Sequence, residues 1–204
     1  GYPSLTRGAD SFRGGNGPLV GGLGTVRMRI VGGKYRNRRL HPPQEMEARP
    51  TTDFAKEGLF NVLQHSIPLE GIRVLDLFAG TGNISLEFLS RGAVEAISVE
   101  QDRDLFNFMQ RTARELNETG WRMVKGDVFS FLNSHRGIYD VVFADPPFHL
   151  EGLERIPDLV RAAGLLGEDG ILILEHHEKI DLSAVAGHQR TRKYGVIHFS
   201  FFGA

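Results

Sequence analysis

Asp145-Pro146-Pro147-Phe148 follows the apolar run Tyr139-Asp140-Val141-Val142-Phe143-Ala144, so a carboxylate, two residues without backbone donors and an aromatic ring emerge together from the end of a buried strand. Such a loop offers acceptors only. An amine with two N–H bonds can donate one to the Asp145 carboxylate and one to the Pro146 carbonyl, which turns the nitrogen lone pair toward an electrophile. No strong base is required, because the nitrogen becomes acidic once alkylation has made it cationic. Phe148 would stack on the plane of a nucleobase, an interaction worth about 1–3 kcal/mol that offsets the cost of extracting the base. By itself the same segment reads as a tight turn with Phe148 tucked into the core, since Asp-Pro is a common turn dipeptide.

A second constellation supplies the electrophile. Asp76-Leu77-Phe78-Ala79-Gly80-Thr81-Gly82 ends a predicted strand and opens a predicted helix, where glycines let a ligand approach the backbone closely. The third small position of a dinucleotide fingerprint is Ser85 instead of Gly or Ala, and Asp76 stands before the glycines. A carboxylate there repels a pyrophosphate and suits a cationic amino acid head group. Glu100, with Gln101 beside it, ends the next strand, where an acid can accept both hydroxyls of a ribose; Asp127 follows the third strand and can accept from an adenine amine. Phe78, Ala79, Gly80 and Gly82 would line the loop. Together these residues describe a site for S-adenosylmethionine, although each acid alone could be a helix N-cap or a solvated loop residue.

These groups need a sheet to hold them. Residues 72–77, 96–100, 122–125, 139–144 and 171–175 read as strands; amphipathic segments lie between them, the third carrying Leu159, Val160, Ala163 and Leu166 on its apolar face. The pattern predicts an α/β fold with a mostly parallel sheet, closed by an antiparallel hairpin over 189–194 and 196–202. Upstream, residues 28–40 read as a hairpin turning at Gly32-Gly33, and Thr51-Thr52-Asp53 supplies caps for a helix packing through Leu59, Phe60, Val62 and Leu63.

The 204 residues suffice for one such domain with a small extension, and no apolar run approaches the roughly 20 residues of a membrane span. The expected division is a glycine-rich leader over 1–27, taken as a tag remnant or disordered tail, a basic hairpin and helix over 28–66, and a catalytic domain over 67–204. The absence of cysteine excludes disulfides, thiolate metal sites and covalent attack by a thiolate on a pyrimidine ring. The net charge of −1 conceals a basic arm, in which Arg27, Arg29, Lys34, Arg36, Arg38, Arg39 and Arg49 face only Glu45 and Glu47. Lys34, Arg36, Arg38 and Arg39 are candidates for phosphate contacts, and Arg49, just before the capped helix, for substrate or donor contact. A solvated edge that keeps the hairpin soluble is the plainer reading. The eight histidines show no ligand spacing, so no metal is expected; Phe106, Phe108 and Trp121 read as packing residues.

The order Met28-Arg29-Ile30-Val31-Gly32-Gly33-Lys34-Tyr35-Arg36, Arg49-Pro50-Thr51-Thr52-Asp53, the 76–82 loop, Ser90-Arg91-Gly92-Ala93 and Asp145-Pro146-Pro147-Phe148 resembles the RsmD family of bacterial 16S rRNA guanine-N2 methyltransferases. The resemblance runs from Met28 to about Phe202. It implies a Rossmann-like methyltransferase fold, one S-adenosylmethionine per chain, and small-subunit RNA, in an assembled particle or an intermediate, as substrate of a cytoplasmic, monomeric enzyme. Asn83-Ile84-Ser85 departs from the Ala-Leu-Gly type of sequence that follows the loop glycines in that family. From the residues alone, an adenine-N6 methyltransferase, a nicotinamide-dependent oxidoreductase and a noncatalytic RNA-binding protein stay open.

Overall fold

The computed structural model describes residues 28–43 and 51–204. Seven strands form one sheet in the order β5-β4-β3-β6-β7-β9-β8: β3 (Arg73–Leu77), β4 (Glu95–Glu100), β5 (Trp121–Lys125), β6 (Tyr139–Ala144), β7 (Leu166–His177), β8 (His188–Tyr194) and β9 (Ile197–Gly203). Strands β3 to β7 run parallel, and β9 then pairs antiparallel with both β7 and β8 around the turn at Gly195. A separate pair, β1 (Met28–Arg29) and β2 (Arg39–Leu40), forms the upstream hairpin.

Both faces of the sheet are covered. Helices α1 (Asp53–Ser66), α2 (Asn83–Ser90) and α3 (Arg103–Glu115) lie over one face, where Leu59, Phe60, Phe88 and Met109 pack on Val74, Ala96, Val141 and Phe143. Helices α4 (Val128–Ser134) and α5 (Ile156–Ala162) cover the other, with Leu132, Ile156 and Val160 against Leu75, Leu77, Val142 and Leu172. Alternate residues of one strand thus feed different cores, as the period of two requires. Met28, Ile30 and Leu40 of the hairpin join the first core. None of the helices is long and apolar enough to cross a membrane among the described residues.

Local chemistry sets the helix starts. Thr52 caps α1 by accepting from Ala55 N at 3.2 Å, Asp102 caps α3 by accepting from Asp104 N and Leu105 N at 2.9 Å, and Asp127 caps α4. Three details differ from the sequence reading. The upstream chain does not reverse at Gly32-Gly33 but over residues 34–37, because Gly33 is packed so closely on α2 that a Cβ would stand 1.9 Å from the Ser90 carbonyl oxygen. Leu166 lies in β7, not in the preceding helix: Ala162 ends α5, and Gly164, at φ 65°, turns the chain. Helix α4, seven residues long and too short to show a 3.6-residue period, was not anticipated at all.

Candidate active site

Strand order reverses between β3 and β6, so the crevice outside their carboxyl ends is the place where an open α/β sheet binds ligands. The chain leaves β3 through Phe78, Gly80 and Gly82, all in the left-handed region at φ 58°, 60° and 79°. The two glycines differ in purpose. A Cβ on Gly80 would meet nothing within 4 Å, leaving its backbone open to a ligand, whereas one on Gly82 would strike the Trp121 ring at 2.4 Å. Phe78 has no such freedom and carries backbone strain in the loop, of the kind found at ligand sites.

Each predicted donor residue has a definite place. Glu100 accepts from Gly80 N at 2.8 Å through one oxygen and from Asp102 N at 3.1 Å through the other, which locks the glycine loop to the end of β4. Ala79 N bonds the Val99 carbonyl at 2.9 Å. Gln101 is exposed beside Glu100. Asp127 is also exposed and caps α4 by accepting from Ser130 N at 2.9 Å, so one of its oxygens has a structural duty.

Asp76 is buried below the loop. Its Oδ2 accepts from Ser85 N at 3.2 Å and Ser85 Oγ at 2.6 Å; Ser85 Oγ meets Ser98 Oγ at 2.6 Å, and Trp121 Nε1 donates to Ser98 at 2.8 Å. Ser85, the departure from the family pattern, therefore holds the acid in place. Among the described residues no group donates to Asp76 Oδ1. Burial pushes Asp76 up to about 7; the Ser85 bonds oppose this, and Glu100 and Glu175 add to it.

Asp145 follows the Ala144–Leu174 register pair, so it stands next to Glu175 of β7. The two carboxyls lie within hydrogen-bonding reach, and Thr51 Oγ1 donates to Glu175 Oε1 at 2.7 Å. Burial of its carboxyl group, and then the Glu175 carboxyl, raise Asp145 well above the usual carboxylate range; burial also raises Glu175, against the bonds from Asp145 and Thr51. Pro146 is buried and Pro147 exposed. Phe148 is 78% exposed, which overturns the reading of this ring as a core residue. The sequence reading gives Thr51 only as a cap residue before α1 and Glu175 only as the end of a strand, and assigns neither to the site; an acid ending the apolar run Ile171-Leu172-Ile173-Leu174 is the signal for Glu175.

The basic arm divides. Gly33 packs on Ser90 at the carboxyl end of α2, and Lys34 pairs with Glu118 at 2.8 Å just before β5, so this turn sits at the sheet edge opposite the crevice. Helix α2, eight residues and about 12 Å long, separates the two edges. Arg36, Arg38 and Arg39 are exposed, with no ion pair among the described residues, while Arg49 lies outside the described residues. A buried network anchors the arm: Lys56 Nζ bonds Glu87 at 3.0 Å, Asn83 Oδ1 at 2.8 Å and the Arg29 carbonyl, and Glu87 accepts from Val31 N and Gly32 N at 2.8 and 3.0 Å.

Comparison with known proteins adds a second line of support. Residues 28–203 match the family described as Conserved hypothetical protein 95. The chain is 35% identical to Ribosomal RNA small subunit methyltransferase D of Escherichia coli over 79% of this chain and 81% of that protein. Identity to the Haemophilus influenzae protein of the same name is 31%, covering 72% and 78%. Among solved structures, a hypothetical protein of Thermus thermophilus superposes with a TM-score of 0.74 at 30% identity, covering 86% of this chain and 99% of that one. The T. thermophilus 16S rRNA N2 G1207 methyltransferase RsmC, solved with AdoMet and guanosine, gives a TM-score of 0.67 at 26% identity over 87% of this chain and 49% of its own.

Proposed function

The chain belongs to the Conserved hypothetical protein 95 family, that of the RsmD methyltransferases, and from that premise we propose that its crevice transfers a methyl group from S-adenosylmethionine to the N2 amine of a guanine in 16S rRNA. It is an S-adenosylmethionine-dependent rRNA methyltransferase; the base, its atom and the small-subunit particle or assembly intermediate are the finer part of the reading. The observation that carries it is the juxtaposition, at the switch point of the sheet, of an acceptor-only loop bearing Asp145 with an open glycine turn underlain by acids.

The cradle fits such a donor. Gly80 leaves space at its backbone, Asp76 keeps one oxygen free for a cationic head group, Glu100 stands where ribose hydroxyls would lie, and Asp127 retains an oxygen for the adenine amine. Phe78, Ala79, Gly82 and Gln101 complete the lining. The bound donor supplies an electrophilic methyl carbon on a sulfonium. Asp145 and the Pro146 carbonyl accept the two amine hydrogens and aim the lone pair, Pro147 holds the loop rigid, and Phe148 stacks on the base. Arg36, Arg38 and Arg39, with Lys34 once freed from Glu118, contact phosphates, and Arg49 contacts substrate or donor. We assign residues 28–66 to RNA contact and 67–204 to catalysis.

The test is methyl incorporation from labelled donor into small subunits and naked 16S RNA, followed by mapping of the product. Asp145→Ala lowers turnover by at least about 100-fold, and Phe148→Ala lowers kcat/KM by about 10- to 100-fold without moving Tm, because the ring is exposed. Undiminished transfer by Asp145→Ala sinks the mechanism. A product at adenine N6 replaces the base assignment, since the same loop holds either amine.

A further inference from the structure

Asp76, Asp145 and Glu175 come from three neighbouring strands, β3, β6 and β7, and all lie on the sheet face covered by α1 and α2. The assignment follows from alternation: Leu75, Leu77, Ala144 and Leu174, their chain neighbours, point into the opposite core. Asp76 is bound into the Ser85–Ser98–Trp121 chain, whereas Glu175 has two partners among the described residues, Asp145 and Thr51. Glu175 is 9% exposed and Asp145 half-buried, and two carboxyls in mutual reach with so little solvent cannot both be ionised cheaply.

We propose that Glu175 and Thr51 are positioning residues for the methyl transfer: the Thr51 hydroxyl fixes one oxygen of Glu175, and the other shares a proton with Asp145 that fixes the orientation of the Asp145 carboxyl toward the substrate amine. This rests on the role given to Asp145 above. The pair holds one proton, shared between one oxygen of each carboxyl, and the second oxygen of Asp145 accepts from the amine. The amine nitrogen forms the new N–C bond as the S–C bond breaks with its electron pair passing to sulfur, and the surplus N–H proton passes to that second oxygen. Asp145 returns it to water. Thr51 immediately precedes the α1 cap, and its carbonyl accepts from Asn83 Nδ2 at 3.4 Å, so the buried Lys56–Asn83 network extends to the carboxyl pair.

Glu175→Gln keeps a donor toward Asp145 and an acceptor for Thr51 but removes the second acid. The charged groups acting on Asp145 are Glu175 and Asp76, with Glu100 acting on Asp76 in turn, and the amide in place of Glu175 cannot give up its donor as pH rises. Glu175→Gln therefore retains plateau kcat within about threefold, while the alkaline limb of its pH–kcat/KM profile, on which the wild type loses the shared proton, moves up by about one pH unit or more. Glu175→Ala, which can neither fix nor share, loses at least about tenfold in kcat. The protein without donor gives a readout independent of turnover. Carboxyls raised on folding stay protonated in the folded state, so stability falls as pH rises from the unfolded carboxylate range through the raised values. The Tm advantage of Glu175→Gln over the wild type should therefore widen between pH 5 and 8. An unshifted alkaline limb overturns the proposal; if Glu175→Gln does not turn over, parallel Tm curves overturn it instead. Full activity in Asp145→Ala defeats the underlying reading, whereas an inactive Asp145→Ala with an unshifted Glu175→Gln limb removes only the part given to Glu175.

Discussion

Asp76 combines two demands that pull against each other. Its side chain is 1% exposed and accepts two bonds from Ser85, yet neighbouring Glu100 and Glu175 disfavour its charge, and burial is the largest contribution to its rise to about 7. The ordinary value, 3.8, applies to the unfolded chain, so the folded protein binds more protons between about pH 4 and 7 and loses stability as pH rises through that window. Asp76→Asn keeps an oxygen for Ser85 and removes the titration. Without donor, its stability relative to the wild type should increase by up to the order of 4 kcal/mol from pH 4 to 8, as read from urea titrations. A difference independent of pH contradicts the assignment. Donor affinity moves the other way, because a cationic head group would lose its carboxylate partner. The identity of Asp76 and its position before the glycines were visible in the sequence; its partner Ser85 stood out only as a departure from a pattern.

Among elements, the upstream hairpin depends most on a single side chain. Strands β1 and β2 have two residues each and cannot be stable as a ladder. Met28, Ile30 and Leu40 anchor them in the core, and Lys56 of α1 joins the Arg29 carbonyl to Asn83 and Glu87 of α2. Lys56→Ala leaves these acceptors without their shared donor and should destabilise the protein by about 3–5 kcal/mol in urea unfolding. Lys56→Met keeps the stem and should cost less. Equal stability of the alanine variant and the wild type would show that solvent replaces the ammonium. Lys56 is an exposed-looking residue in a polar stretch of sequence, and nothing local distinguishes it from Lys34, which is half-exposed at its ion pair with Glu118.

At the scale of the whole molecule, the crevice and the tip of the arm occupy opposite edges of the sheet, so RNA reaching both must pass along the side that carries β1, β2 and α2. Under the proposed role, Arg38→Gln with Arg39→Gln should reduce the slope of log affinity against log salt by about 2, at unchanged donor affinity. An unaltered slope removes these arginines from the interface. Much of this architecture was legible in advance. Strand cores, the glycine loop, the acids at strand ends and the closing hairpin follow from local rules, because side-chain period, cap chemistry and proline geometry act over a few residues of chain. The sequence by itself determined the acceptor-only segment Asp145-Pro146-Pro147-Phe148, the glycine loop with its acids, and the parallel sheet that bears them. Only the tertiary structure decided that Glu175 and Thr51, 124 residues apart, meet beside Asp145, that Ser85 holds Asp76, and that Lys34 faces away from the crevice. Those pairings depend on which strands become neighbours and which faces they share, a choice made by packing the whole sheet at once and carried by no single stretch of residues.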